Sequence, residues 1–187
     1  GLQTAIQLRH LGVERVVLLE RHFIGAGQSH RAAGILRCLV RDSTVAGALA
    51  ESLEFFKTFH DRFDEQIEVH AAGYLLLTEP KQSVAIDEAI AAAAQVGCEA
   101  HRLNRQEAQQ LQPGLRDEDQ TLYVYEPEAI HIDPMSAIQA LRRVAHRLDV
   151  SLVEGCEVHQ ILTEGDSVAG VETSQGKIVS PQVLVAT

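Results

Sequence analysis

Residues 16–37 read VVLLERHFIGAGQSHRAAGILR, and the fold follows from how this stretch is taken. Val16 to Leu19 form a continuous apolar run that ends on Glu20. A short run with no polar alternation suits the buried centre of a parallel sheet. The loop that follows is rich in Gly, Ala and Ser, residues that let a backbone approach a ligand closely. Upstream, GLQTAIQLRHLG places Leu2, Ala5 and Ile6 at helical spacing, with Gly12 as the stop. Helix, tight turn, strand, carboxylate and small-residue loop is the order of a dinucleotide-binding unit. There the carboxylate at the end of the second strand accepts hydrogen bonds from the adenosine ribose, and a helix N-terminus faces the pyrophosphate. The fingerprint G-x-G-x-x-G is expected ahead of the helix, and Gly1 stands where its third glycine would be. PQVLVAT, at the other end, stops in an apolar stretch. The chain is therefore expected to be an internal piece of a longer protein.

The remaining chain alternates α and β signals. Ser43 or Asp42 can cap a helix through residues 43–63, striped by Val45, Leu49, Leu53, Phe56 and Phe63. A strand is expected around Tyr74 to Leu77, an Ala-rich helix over 83–96, and a short strand in CEAHRL. Asn104 and Glu107 form the two halves of a capping box. TLYVYEP is a strand, and Asp133-Pro134 opens a helix. The end reads as a strand, an antiparallel meander and a return to a parallel strand at Val183 to Ala186. The order predicts three segments: residues 1–67 and 126–187 as a nucleotide-binding layer system, and 68–125 as an insert.

Composition narrows the function classes. The 187 residues carry a net charge of -10 with no basic run, which argues against a nucleic-acid groove or an anionic membrane as partner. No apolar stretch approaches the ~20 residues of a membrane span. Cys38, Cys98 and Cys156 are odd in number and far apart, so a reducing, cytoplasmic compartment is expected. The nine histidines show no i, i+4 pairing, and no metal site is expected. Cys38 reads as a small buried hydrophobe, and Arg142, Arg143 and Arg147 as a solvated helix face.

Taken together, GLQTAIQLRHLG, VVLLER, GAGQSHRAAGIL, EAIHIDPMSAIQALRRVA, EGCEVHQI and the ending VLVAT resemble the FAD-dependent D-amino-acid oxidase superfamily, with the glycine oxidase and sarcosine oxidase branch the most similar. The resemblance spans Gly1 to Thr187 and rests on the ordered set rather than on any one motif. It implies an α/β fold of the glutathione-reductase-like FAD-binding type with an inserted α+β substrate-binding domain. The implied reaction is oxidation of the C–N bond of an amino acid or secondary amine, with hydride passing to the flavin and then to oxygen or another acceptor. Also open are a relative oxidising a C–O bond, such as a 2-hydroxyacid or glycerol-phosphate dehydrogenase, and a non-catalytic flavin-binding subunit of a complex. A partner subunit is in keeping with either reading.

The resemblance also implies roles. Gly1 belongs to the phosphate turn. Glu20 binds the adenosine ribose, and Arg21 lies beside the adenine. Gln28 and Ser29 lie near the pyrophosphate and ribityl groups, and Ala33, Gly34 and Ile35 run along the flavin. Val158 pairs its backbone with the adenine edge. Ala186 and Thr187 match a strand end near the phosphates. Arg37 is placed to clamp a substrate carboxylate, with a structural ion pair as the competing role. No protein nucleophile or general base is expected in this stretch, and the piece alone is expected to bind FAD poorly and to be inactive.

Overall fold

The computed structural model describes residues 1–116 and 121–186. The chain is a mixed α/β fold that divides into two compact units, Gly1–Ala32 with Pro134–Thr187 and Ala33–Asp133.

The first unit begins with α1 (Leu2–His10), which buries Ala5 and Ile6 and carries Arg9 and His10 in its last turn, where cations suit the helix dipole. Gly12, at φ +87°, reverses the chain into β1 (Val17–Leu19). The Arg9 guanidinium donates to the carbonyls of Leu148, Val13 and Glu14, so one side chain ties the end of α1 to the turn after the late helix. That helix, α6 in chain order (Pro134–Arg147), starts at its proline and buries Ala137, Ile138, Ala140, Val144 and Ala145. It packs against α1 and leads into β8 (Ser151–Val153). β8 pairs with β1 in parallel, Val17 opposite Ser151. β9 (Val158–Glu164), β10 (Ser167–Thr173) and β11 (Gly176–Val179) form the antiparallel meander. Gly170 sits at an irregularity in the β9–β10 register. At φ +145°, a Cβ there would stand 2.1 Å from the carbonyl oxygen of Ile178, so only glycine fits.

Among the described residues the second unit holds two three-stranded antiparallel sheets. β2 (Ile35–Leu36), β7 (Ile130–Ile132) and β3 (Val69–His70) pair in the order β2-β7-β3, and β4 (Tyr74–Thr78), β6 (Leu122–Glu126) and β5 (His101–Leu103) in the order β4-β6-β5. The helices are α2 (Ser43–Lys57), α3 (Phe59–Phe63), α4 (Ser83–Gln95) and α5 (Arg105–Leu111). Asp42 caps α2, accepting from the amides of Thr44 and Val45, and the Asn104–Glu107 capping box opens α5. Leu39, Ile86, Ala89 and Val124 form one core cluster. A second gathers Phe55, Phe56, Phe59 and Phe63.

Four sequence expectations are corrected. The helix expected through 43–63 breaks at Thr58, whose hydroxyl donates back to the Glu54 carbonyl at 2.7 Å; such bonds compete with the helix ladder. Val183–Ala186 forms no strand, and Leu184 and Val185 are largely exposed. A strand needs a ladder, and none of the described strands pairs with that stretch. β1 is not buried on both faces: its one described ladder partner is β8, and Val17 is exposed. Finally, the units divide at Ala32/Ala33 and Asp133/Pro134 rather than at 67/68 and 125/126. Residues 33–67 join the following segment because α2 packs on α4, and β7, paired with both β2 and β3, draws residues 126–133 into the same unit. Residues 68–125 contribute no strand to the parallel pair.

Candidate functional site

The candidate residues fall into two groups, one in each unit. In the first unit, Glu20 extends the β1–β8 ladder by one step. Its amide donates to the Val153 carbonyl, and its own carbonyl accepts from the Cys156 amide, both at 2.9 Å. Glu20 Oε1 accepts from the His22 amide at 2.8 Å. A carboxylate offers about four lone-pair sites, so this bond leaves capacity for a pair of vicinal hydroxyls. Arg21 pairs with Glu157 at 3.8 Å on the surface, a contact of the kind worth little energetically but informative about place: it sets Glu20–Arg21 beside the start of β9. Val158, the first residue of β9, is exposed rather than packed in the core, and β9, paired with β10 on one side, is an edge strand among the described residues. Gly1, at the N-cap of α1, has no side chain to cap the helix, and a Cβ there would touch Leu18 of β1 at 3.7 Å. Helix start, strand-end carboxylate and β9 edge therefore belong to one neighbourhood.

The loop between Arg21 and Ala32 is held by contacts that local sequence does not announce. At Gly25, φ is +95°, and a Cβ would come within 2.9 Å of Ile138 on α6, so the loop lies directly on that helix. The Gly25 carbonyl lies 2.6 Å from His30 Nδ1. Glu154, just after β8, accepts from the Ile24 amide at 2.8 Å and pairs with Arg142 at 2.8 Å. Arg142 is thus a strut and not simply part of a solvated face. The Ile24 amide, with Arg142 contributing, lowers the Glu154 pKa from the usual 4.5. A depressed pKa means that this contribution is present above 4.5 and is lost as pH falls through the folded-state value. Below that value the loop should loosen, seen as faster amide exchange at Ile24, whereas Glu154→Gln should show fast exchange already at neutral pH. Gln28 and Ser29 lie exposed at the start of the short 3-10 turn Ser29–Arg31. Ala186 is exposed and outside any strand, and Thr187 lies outside the described residues.

In the second unit, Gly34 is buried at φ +70°, and its carbonyl accepts from the Ile132 amide at 2.9 Å. Ala33 is exposed. Ile35, also exposed, stands opposite His131 on β7, which in turn pairs with His70 on β3. Directly opposed residues share a sheet face, so Ile35, His131 and His70 form one outward row. The His131 and His70 rings stack at 5.9 Å. Arg37 is half-buried. Its Nη1 donates to the Leu39 carbonyl, and its guanidinium lies 5.0 Å from the centroid of the Tyr74 ring.

Beside Arg37 sits a buried acid that the sequence reading missed. Glu126 is 0% exposed; its Oε1 accepts from the Cys38 amide at 2.5 Å and its Oε2 from the Leu39 amide at 3.0 Å. Burial pushes its pKa up, while the two amides and the Arg37 charge oppose that rise. The available signal was register: Leu122, Val124 and Glu126 alternate on one face of β6, so a charge falls on the core side. Cys38 is fully buried, and burial, with Cys98 against it, raises its thiol pKa. Among the described residues no cluster of three His, Cys, Asp or Glu side chains is placed to hold a metal, and no helix is long and apolar enough to cross a membrane.

Residues 1–187 match the family described as FAD dependent oxidoreductase (DAO). The chain is 27% identical over its whole length to 4-methylaminobutanoate oxidase (formaldehyde-forming) of Paenarthrobacter nicotinovorans, covering 23% of that protein. It is 25% identical to the sarcosine oxidase subunit beta of an Arthrobacter species, again over its whole length, covering 48% of that protein. The L-proline dehydrogenase of P. horikoshii superposes on 96% of the chain with a TM-score of 0.86 at 25% identity, the match covering 48% of that structure. The chain thus spans less than half the length of each of these relatives.

Proposed function

We propose, from the premise that this chain belongs to the DAO family of FAD-dependent oxidoreductases, that the full-length protein oxidises the C–N bond of an amino acid or secondary amine. The observation that carries the reading is the group in the first unit, a strand-end carboxylate beside an edge strand; in the second unit, taken by itself, an arginine stands three residues after a left-handed glycine. The first group suits the nucleotide half of FAD. Glu20 retains lone pairs for the ribose hydroxyls, Val158 offers backbone groups to the adenine edge, and the uncapped start of α1 suits phosphate. In the second group, buried Gly34 and exposed Ala33 and Ile35 would lie along the flavin. FAD supplies the hydride acceptor, and the protein supplies orientation. A guanidinium has five donors, so Arg37 keeps several for a substrate carboxylate beyond the one given to Leu39. Holding that carboxylate would present the adjacent C–H bond to the ring.

Further parts of the proposal follow from the family. Residues 1–32 with 134–187 would belong to a glutathione-reductase-like FAD-binding domain, and 33–133 would be its inserted substrate-binding unit. Oxygen or another acceptor would take the electrons, and the protein would work in the cytoplasm. The likeness to a sarcosine oxidase subunit favours a partner subunit. The chain's acidic character supports a small-molecule substrate over nucleic acid.

The test is Glu20→Ala in the full-length protein. Losing a charged hydrogen-bond acceptor of this kind costs roughly 1.5–3 kcal/mol, so FAD should bind about tenfold to a hundredfold more weakly. FAD retained through gel filtration at limiting cofactor reads this directly. Retention equal to the parent protein's would remove Glu20 from the cofactor site.

A further inference from the structure

The geometry points to Glu126 as the positioning residue for Arg37. Its carboxylate takes the two consecutive amides that follow the arginine, those of Cys38 and Leu39. Buried amides of this kind need partners, and here one side chain from a strand distant in sequence supplies both. Its partner across the β4–β6 ladder is Tyr74, the residue whose ring lies under the Arg37 guanidinium. Opposed residues share a face, so the acid and the aromatic seat stand together. The Leu39 carbonyl, which accepts from Arg37 Nη1, belongs to the same pinned turn. Glu126 therefore fixes the backbone that carries the guanidinium, the carbonyl that orients it and, through the ladder, the ring on which it rests. The Arg37 charge acts in turn on this carboxylate, opposing the rise that burial causes. A guanidinium fork binds a carboxylate in two parallel bonds only when its plane is set. Glu126, which touches neither substrate nor flavin in this assignment, sets it.

The inference deepens the proposed function, since it takes Arg37 as the carboxylate site. Its test uses the full-length, FAD-loaded protein and the variant Glu126→Gln, which keeps the shape but offers a second donor where the amides need an acceptor. Acetate and its neutral isostere acetamide are titrated while the flavin absorbance is followed. Acetate should bind about tenfold more weakly in the variant, acetamide unchanged, and the loss should nearly vanish in an Arg37→Lys background, because residues acting as one unit are non-additive. A crystal structure of Glu126→Gln should show the guanidinium displaced from its seat over Tyr74. Equal weakening of both ligands, a loss that adds in full to that of Arg37→Lys, or an undisplaced guanidinium would overturn the assignment. A displaced guanidinium in a protein whose acetate affinity does not depend on Arg37 would uphold the positioning role and reject the carboxylate reading instead. If Glu126→Gln does not fold, Glu126→Asp takes its place. The shorter arm cannot span both amides, so acetate should again weaken selectively, and wild-type affinity for both ligands would overturn the role.

Discussion

Replacing Arg37 with alanine in the full-length protein is expected to lower kcat/KM for a carboxylate-bearing amine by roughly thirtyfold to several thousandfold. Truncating one partner of a hydrogen-bonded charge pair costs about 2–5 kcal/mol, and each 1.4 kcal/mol is about a factor of ten. Arg37→Lys keeps the charge but not the fork, so it should act in the same direction and less strongly. Its effect should fall mainly on KM, extending to kcat where misplacement reaches the reacting bond. A matched amine without a carboxylate should be turned over almost as before, and FAD content should hold. The structure sharpens the alternative. Arg37 also lies on Tyr74 and donates to Leu39, so a purely structural role is chemically reasonable. That role would show as equal loss for both substrates, or as loss of flavin, and either result would retire the substrate assignment.

Phe59→Ala should be the most damaging single change to stability. Phe59 is 0% exposed. Its ring meets Phe55 edge-on at 5.6 Å, Phe63 at 5.0 Å and Phe56 in a stacked arrangement at 6.4 Å. Removing a buried phenylalanine costs about 3–5 kcal/mol through lost transfer energy and the cavity left behind. Aromatic pairs add about 0.5–1.5 kcal/mol beyond their area, which places this site towards the upper end. The unfolding midpoint in urea should fall accordingly. A loss under about 1 kcal/mol would mean that the cluster collapses to fill the gap, at odds with a ring packed on three sides. Val45, on the preceding helix and 48% exposed, is the control: its truncation should stay within about 0.5 kcal/mol.

The sequence carried most of the regular structure, because those elements declare themselves locally. The Asn104–Glu107 box, Asp42 before α2 and Pro134 at the start of α6 each solve the orphan-amide problem within a few residues. What escaped was set by distant partners. β2, β3 and β7 are two or three residues long, too short for any period to show, and exist only through one another. The same holds in the candidate site. Glu20 and the small-residue loop could be read from adjacency alone. Glu126 reaches its amides across 88 and 87 residues, and Glu154 reaches Ile24 across 130. Neither acid has a local pattern that marks its partner. The grouping of residues 33–67 with residues 68–133 is likewise set at a distance, by α2 against α4 and by the β2-β7-β3 sheet, whose β2–β7 pairing is long-range.

That pairing bears on how such an architecture diversifies. β2 and β7 are the first and last strands of the second unit, and they lie side by side, Ile35 against His131 and Leu36 against Ile130. Whatever the chain does between them, it leaves next to where it entered. A segment closed in this way behaves as a cassette. Insertions within it lengthen a loop whose ends are already pinned, and each doubling of a flexible loop costs only about 0.6 kcal/mol. Lineages can therefore enlarge, trim or exchange the enclosed helices and sheet while the Gly34–Ile132 hydrogen bond at its neck stays as it was. Chemical novelty would then accumulate inside the loop, with the closing ladder as the part that resists change.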